Sequence, residues 1–488
     1  MGPKQIAMVV LAVVAAIGVV ISVAAAAIVA LPRENRFAIG EQTGNSGSTS
    51  ATGTPSALST PAASSTSSAV GTPRSMPQQL GLPAPVLAAA SPGLVPDATA
   101  VAARIGAIKV KGATGSYSGS IIEVGTGKVL YAHNATRPHI PASTMKLLTA
   151  TAALSILGPE HTFETSVVSP QRGQIILVGG GDPYLAREAS ADFPRRATIS
   201  GLAHATASKL KQDKITKVSL GYDASLFSGP AWNSHWPSYY DHSVSRTSAL
   251  LVDEGRLGAV SPSTHRRDPA KEAAAAFSGA LSKQGIKVST TQRTRAAKSA
   301  PTISEVSSMR LERIVEHILK VSDNDASEVI FRQAAVGAGK AGSIAEATKV
   351  VQSQLTKLGV WEPGMTINDG SGLSRQTKVS AGSMVKLLRL AADKQHPELR
   401  AVITGLPVAG VEGSLRIRYF DHESLAGRGV VRGKTGTLNK VRAQAGFVRT
   451  TDGSLLVYAF LINRPKNEYN ATIWLDRVTA AISTCGCG

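Results

Sequence analysis

The stretch PASTMKLLTATAAL at residues 141–154 decides how the rest of the chain is read. From Ser143 onward it carries small and apolar residues with no internal helix breaker, which predicts a helix with Ser143 in its first turn. Residues three apart are neighbours on a helix surface, so Lys146 stands one turn above Ser143 on the same face. An amine beside a hydroxyl, at the helix end that favours negative charge, is what an activated serine requires. The same spacing recurs at Ser383-Met384-Val385-Lys386, also heading an apolar helix. Taken alone, either tetrapeptide is accounted for by an ordinary N-cap serine.

Upstream, residues 117–124 and 128–133 read as two strands joined by Gly125-Thr126-Gly127, a hairpin signal. Downstream, Ser322-Asp323-Asn324 follows a helical run at residues 311–321, which places its Ser and Asn at the mouth of a loop. It is the only Ser-x-Asn in the chain, and Lys434-Thr435-Gly436-Thr437 holds the only Lys-Thr-Gly. That third element opens a strand-like stretch, followed by an apolar run at 443–448, a turn at Thr451-Asp452-Gly453 and a strand at 455–463. Gly436 permits close backbone approach of a ligand, and Lys434 with the hydroxyls of Thr435 and Thr437 makes a carboxylate clamp. Ser143 and Ser322 lie 179 positions apart (322 − 143), too far for a simple connection, so an inserted unit is expected between them. Strands at 163–168, 174–178 and 218–222 with helices at 202–210 and 269–281 make it a small α/β insert.

The whole chain has 488 residues, about three domains by the usual length prior, with 43% apolar and 17% charged residues. That excludes a wholly disordered chain. Fifty-two Lys and Arg against 33 Asp and Glu give +19, which attracts polyanions such as nucleic acid or the anionic bacterial surface. Residues 6–31 are apolar or small throughout, and at about 1.5 Å per residue they reach ~39 Å as a helix, enough to cross a bilayer. An uncleaved membrane anchor, with the catalytic body outside the cytoplasm, is expected; a cleaved signal would give a secreted protein. Residues 41–92 are built almost wholly from Ser, Thr, Ala, Gly and Pro, a flexible tether. This export signal argues against nucleic acid, for which the sequence has charge but no motif. Cys485 and Cys487 stand one residue apart, which suits neither a zinc cage nor a long-loop crosslink, and are expected to be a tail feature without a catalytic role. No metal is expected, because the ten histidines show no ligand spacing, and no Gly-rich phosphate loop follows a strand.

In chain order, Ser143-x-x-Lys146, Ser322-x-Asn324 and Lys434-Thr435-Gly436 resemble the motif set of the serine penicillin-recognising enzymes. Further runs, Gly179-Gly180-Gly181-Asp182-Pro183, Asp369-Gly370-Ser371-Gly372-Leu373-Ser374 and residues 406–415, make the chain resemble low-molecular-mass class C penicillin-binding proteins. These form a D-alanyl-D-alanine carboxypeptidase/endopeptidase family, and the resemblance runs from about residue 103 to the C-terminus. It implies an α+β fold: a β-lactamase/transpeptidase-like antiparallel sheet flanked by helices, with an inserted α/β domain. The chain then divides into a transmembrane segment (1–36), a linker (37–93), a transpeptidase-like domain in two parts (94–161 and 298–488) and the insert (162–297), which is shorter than the family's common two-part insertion.

The resemblance also ranks the two Ser-x-x-Lys sites. The family's nucleophile motif comes first in chain order, so Ser143 is the implied nucleophile and Ser383 is structural. It further implies that Lys146 acts as base once burial and the charge of Lys434 lower its pKa, that Ser322 passes a proton to the departing amine, and that Asn324 orients Lys146 and substrate. Lys434, Thr435 and Thr437 would bind the substrate carboxylate, and the N–H groups of Ser143 and Thr437 would form an oxyanion hole. The implied substrates are peptidoglycan stem peptides, with penicillins and other β-lactams as acylating ligands and no cofactor. The rivals are a non-catalytic penicillin or wall-peptide sensor, and a class A β-lactamase, which needs a deacylating glutamate not found between the first two motifs. Oligomeric state is left open.

Overall fold

The computed structural model describes residues 95–191, 196–256 and 265–486. The expected membrane segment, the tether and Cys487 lie outside the described residues. Among the described residues no helix is long and apolar enough to cross a membrane.

The elements begin with α1 (Ala98–Ala107), β1 (Ser116–Glu123), β2 (Val129–His133) and α2 (Met145–Leu157). There follow β3 (Glu164–Gln171), β4 (Gln174–Val178), α3 (Ile199–Gln212), β5 (Lys217–Asp223), α4 (Pro269–Lys283), β6 (Lys287–Arg293) and β7 (Thr302–Ser307). The chain continues through α5 (Leu311–Val321), α6 (Asn324–Gly337), α7 (Ile344–Lys357), α8 (Ala381–Ala392) and α9 (Arg400–Thr404). It closes with β8 (Arg432–Leu438), β9 (Val441–Arg449), β10 (Leu455–Asn463) and α10 (Glu468–Ser483).

The first sheet runs β2-β1-β10-β9-β8 and is antiparallel throughout. Its central strand β10 reads LLVYAFLIN, and every residue of it is buried. Side chains alternate across a strand, and the two faces of β10 enter different cores. Leu455, Val457, Ala459 and Leu461 pack with residues of α2, α5, α6 and α8. Leu456, Tyr458, Phe460 and Ile462 pack with residues of α1 and α10. Helices on both faces explain why this strand shows no polar alternation. The same logic applies to α2, where Met145 through Leu154 are all buried: a helix apolar on every side belongs in the middle of a core. Helix α5 is instead one-sided, burying Leu311, Ile314, Val315, Ile318 and Leu319.

The second sheet runs β6-β5-β4-β3-β7. β3 and β4 form an antiparallel pair, β4, β5 and β6 run parallel with α3 and α4 as the crossovers, and β7 returns antiparallel beside β3. Leu202, Ala203, Ala207 and Leu210 of α3 and Ala273, Phe277 and Leu281 of α4 close its core.

The expected α+β architecture, an antiparallel sheet flanked by helices beside an α/β unit, is the one observed. Strands β4 and β10 and helix α5 occupy the residues at which they were expected. β6 and β7 were not anticipated, because KVSTTQR and TISEVS lie largely exposed at the sheet edges and lack apolar alternation. β7 also lies beyond residue 297, expected as the end of the insert, since it pairs with β3 as far as Glu164↔Ser307. Cys485 corrects another expectation: it is 0% exposed within the second core and disulfide-bonded, not part of a frayed tail.

Candidate active site

Immediately before α2 the chain makes a short 3₁₀ turn at Ala142–Thr144. Ser143 is half-buried, whereas Pro141, Ala142, Thr144, Met145 and Lys146 around it are buried. The turn is strained, since Ala142 adopts a φ of 48°, a region that residues with a β-carbon rarely occupy. Two glycines hold it. A β-carbon on Gly372 would lie 1.9 Å from the Ala142 carbonyl oxygen, and one on Gly436 would lie 2.5 Å from that of Pro141. The close approach expected of a ligand at Gly436 is therefore made by the turn that carries Ser143.

Three stretches far apart in the chain meet at this turn. Lys146 is 0% exposed, and its Nζ donates to Ser143 Oγ at 3.0 Å, to Asn324 Oδ1 at 2.7 Å and to the Ser371 carbonyl at 2.8 Å. Lys434, equally buried, donates to Ser322 Oγ at 2.8 Å and to the Thr435 carbonyl at 2.8 Å. Both amines are thus buried, and the partly exposed residues beside them are Ser143, Ser322, Asn324 and Thr435.

The Ser-x-Asn segment is tighter than the expected loop. Ser322 caps α5 in the left-handed conformation, with φ 64°, and Asp323 at once caps α6 by accepting the Ala326 N–H at 3.0 Å. Only the two cap residues therefore separate the helices, which aims Ser322 at Lys434 and Asn324 at Lys146. Asn324 Nδ2 donates to the Ser243 carbonyl at 2.9 Å, which ties it to the opposite wall.

On the other side β8 is an edge strand. Gly433 turns its N–H away from β9 and donates it to the Pro407 carbonyl at 3.0 Å. The two-residue period of a strand carries the N–H groups of Thr435 and Thr437 onto that same unpaired side. The hydroxyls of Thr435 and Ser414 are 2.8 Å apart, so Ser414 fixes the Thr435 rotamer.

Burial lowers the pKa of Lys146 to about 8, against the opposing pull of Asp323, Glu328, Asp369 and Asp325. Lys434 is pushed well below the ordinary lysine value, first by burial and then by repulsion from Lys146. The sequence reading had Lys434 depress Lys146. The repulsion is mutual: it adds to the lowering of Lys434, while the carboxylates around Lys146 oppose the effect of burial there. Three of the acidic groups behind the cleft, Glu254, Asp323 and Asp325, bring their oxygens within 4.8 Å of one another. Arg256 already pairs with all three, 3.2 Å from Asp325, 3.9 Å from Asp323 and in contact with Glu254.

Sequence reasoning assigned no role to Glu328, Asp369 or Ser371. Glu328 Oε1 accepts the N–H groups of Gly370 at 3.0 Å and Ser371 at 2.7 Å, which aims the Ser371 carbonyl at Lys146. Asp369 accepts Trp236 Nε1 at 3.0 Å, the Ser374 N–H at 2.6 Å and Thr377 Oγ1 at 3.0 Å. Burial, then the neighbouring Asp369, pushes Glu328 up to about 8. A signal existed: Glu328 lies four residues after Asn324, on the same face of one helix. The second Ser-x-x-Lys is built differently. Ser383 is fully buried and donates to the Val360 carbonyl at 2.7 Å, while Lys386 turns to Glu362 at 2.9 Å.

Comparison with known proteins places this geometry in context. The profile of the D-Ala-D-Ala carboxypeptidase 3 (S13) family matches residues 101–261 and 258–482. Carboxypeptidase DacB of Mycolicibacterium smegmatis is 31% identical over 423 residues, spanning 83% of this chain and 90% of that relative. A carboxypeptidase of Mycobacterium tuberculosis is 29% identical over 427 residues, spanning 85% of this chain and 90% of the relative. Among solved structures, penicillin binding protein 4 (dacB) from Haemophilus influenzae superposes with a TM-score of 0.65 at 20% identity, covering 78% of this chain and 97% of that one.

Proposed function

The chain belongs to the D-Ala-D-Ala carboxypeptidase 3 (S13) family, and from that premise we propose that Ser143 is the nucleophile with which it hydrolyses peptidoglycan stem peptides and reacts with penicillins. It is a serine-type D-Ala-D-Ala carboxypeptidase. The observation that carries the assignment of residues is the contact of the buried Lys146 amine with Ser143 Oγ at 3.0 Å.

In the reaction Ser143 Oγ attacks the carbonyl carbon between two D-alanines while its proton passes to the neutral amine of Lys146. Charge collects on the carbonyl oxygen, facing the N–H groups of Ser143 and Thr437; losing one such donor typically costs about 3–4 kcal/mol. The C–N bond then breaks and Ser322, bonded to Lys434 at 2.8 Å, relays a proton to the leaving amine. Water hydrolyses the resulting ester and restores the serine hydroxyl. The terminal carboxylate of the substrate lies against Lys434, Thr435 and Thr437. Its charge favours a protonated Lys434, and that cation in turn disfavours a proton on Lys146. Substrate entry thus produces the neutral base that attack requires.

Purified wall peptides followed by mass spectrometry test the assignment. Loss of terminal alanine by the wild-type protein, abolished in Ser143→Ala, is expected. Turnover that survives Ser143→Ala would overturn it. Opening of D-amino-acid crosslinks in the same digest would add endopeptidase activity. The contact of Lys146 with Ser143 supports a reactive serine over a pocket that only binds, and turnover of wall peptides separates a hydrolase from a sensor that stays acylated. The β-lactamase reading lacks its glutamate too, since Glu328 Oε1 is committed to backbone amides.

The same reading puts the body outside the cytoplasm, on a bilayer anchor formed by residues 6–31 and a tether ending near residue 93, with the insert extended to residue 307. The length and apolar character of residues 6–31 support it. Retention in the membrane pellet after alkaline extraction is expected, and release into the supernatant would contradict it.

A further inference from the structure

A cleft of about 300 Å³ opens beside the segment that walls the active site, and its lining is unusual in charge. Arg246, Arg267, Arg293 and Arg332 face it together with Asp268 and Thr247. Asp268 is the only carboxylate among its lining residues, and it is engaged by Arg293 at 2.9 Å. Arg246 stacks over Trp232 with its guanidinium carbon 5.7 Å from the ring centre, and Arg267 is exposed. Neither makes an ion pair among the described residues.

Arg332 provides an independent observation. It is 2% exposed, and its guanidinium donates to the carbonyls of Ser228 at 3.0 Å, Gly342 at 3.4 Å and Pro230 at 2.6 Å. Its buried Nε has no hydrogen-bond partner, and no carboxylate among the described residues pairs with it. Arg332 feels the charge of Glu328 but makes no ion pair with it, and this buried cation, its orphaned N–H and three more guanidinium groups around one small space favour entry of an anion. Planar guanidinium forks match tetrahedral oxyanions, to which they donate paired hydrogen bonds.

We infer that this cleft binds a phosphate group, either free or within the phosphodiester backbone of an anionic polymer. It is separate from the catalytic cleft but joined to it by one short segment. Ser243 accepts from Asn324 at 2.9 Å and the Ser245 N–H donates to Asp325 at 2.6 Å, while the next two residues, Arg246 and Thr247, line the arginine cleft. A polymer held there would keep the catalytic cleft against the wall. The inference rests on these arginines and stands whether or not Ser143 is the nucleophile.

The test uses the full chain in non-ionic detergent at constant ionic strength, titrated calorimetrically with inorganic phosphate and, separately, with a short poly(glycerol phosphate). Saturable binding of at least one probe is expected, weakened about tenfold or more in the Arg246→Ala/Arg267→Ala double variant. Arg267→Ala alone should leave the rate of penicillin labelling within about twofold, which shows that the fold and the neighbouring cleft are intact. Binding of both probes assigns the site to the phosphate group itself, and binding of the polymer alone assigns it to the phosphodiester chain. No binding of either, or equal affinity in the double variant, overturns the inference.

Discussion

At the scale of single residues, the chemistry turns on how Lys146 loses its proton. With a pKa of about 8 for the free enzyme, about one amine in ten is neutral at pH 7. The second-order rate of acylation by a penicillin should therefore rise with pH and level off above about 8, and a pH-independent rate would count against Lys146 as base. Lys146→Arg should cost about 10²–10⁴-fold in that rate, because a guanidinium stays charged throughout this range. The sign for stability agrees. The folded state binds fewer protons than the unfolded chain, so this residue favours folding increasingly as pH rises from about 8 toward 10.5, and that contribution is lost on acidification. Glu328 carries a second prediction. Glu328→Ala strands the buried N–H groups of Gly370 and Ser371, at about 1–3 kcal/mol each, and frees the carbonyl that holds Lys146. Thermal melts and acylation rates should both fall, with Glu328→Gln recovering part of each because its amide oxygen still accepts.

At the scale of elements, the turn that carries Ser143 is wedged between two glycines, and each tolerates no β-carbon. Gly372→Ala or Gly436→Ala should displace Ser143 and slow acylation, with a loss of about 1–3 kcal/mol in denaturant melts. A variant that acylates at the wild-type rate would show that the turn is not held in this way. Strand β10 and helix α5 were legible because burial on two faces, or on one, writes itself directly into apolar order. β6 and β7 were not, because exposed edge strands carry polar residues that read as loop. The Ser322–Asn324 segment was misjudged for another reason. Ser322 caps the end of α5 and Asp323 the start of α6, and two caps side by side leave no loop to see. Cys485 looked like tail because its burial depends on the second core, which no local pattern reveals.

At the scale of the whole molecule, the order of the three motifs was readable from the chain, and the resemblance they carry ranks Ser143 before Ser383 as the proposed nucleophile. What the sequence could not supply was distance. The contact of Lys146 with Asn324 exists because α2 and α6 share one core, and Lys434 reaches Ser322 because β8 closes the sheet beside them. Nor could it show which lysine keeps its proton, since that depends on Asp323, Asp325, Glu328 and Asp369 converging from two separate stretches. The central claim is that these stretches make one pocket with one reactive serine. Labelled penicillin, followed by digestion and mass spectrometry of the adduct, tests it most directly. The label should lie on the peptide containing Ser143, vanish in Ser143→Ala and persist in Ser383→Ala; label on Ser322 or Ser383, or undiminished label in Ser143→Ala, would contradict it.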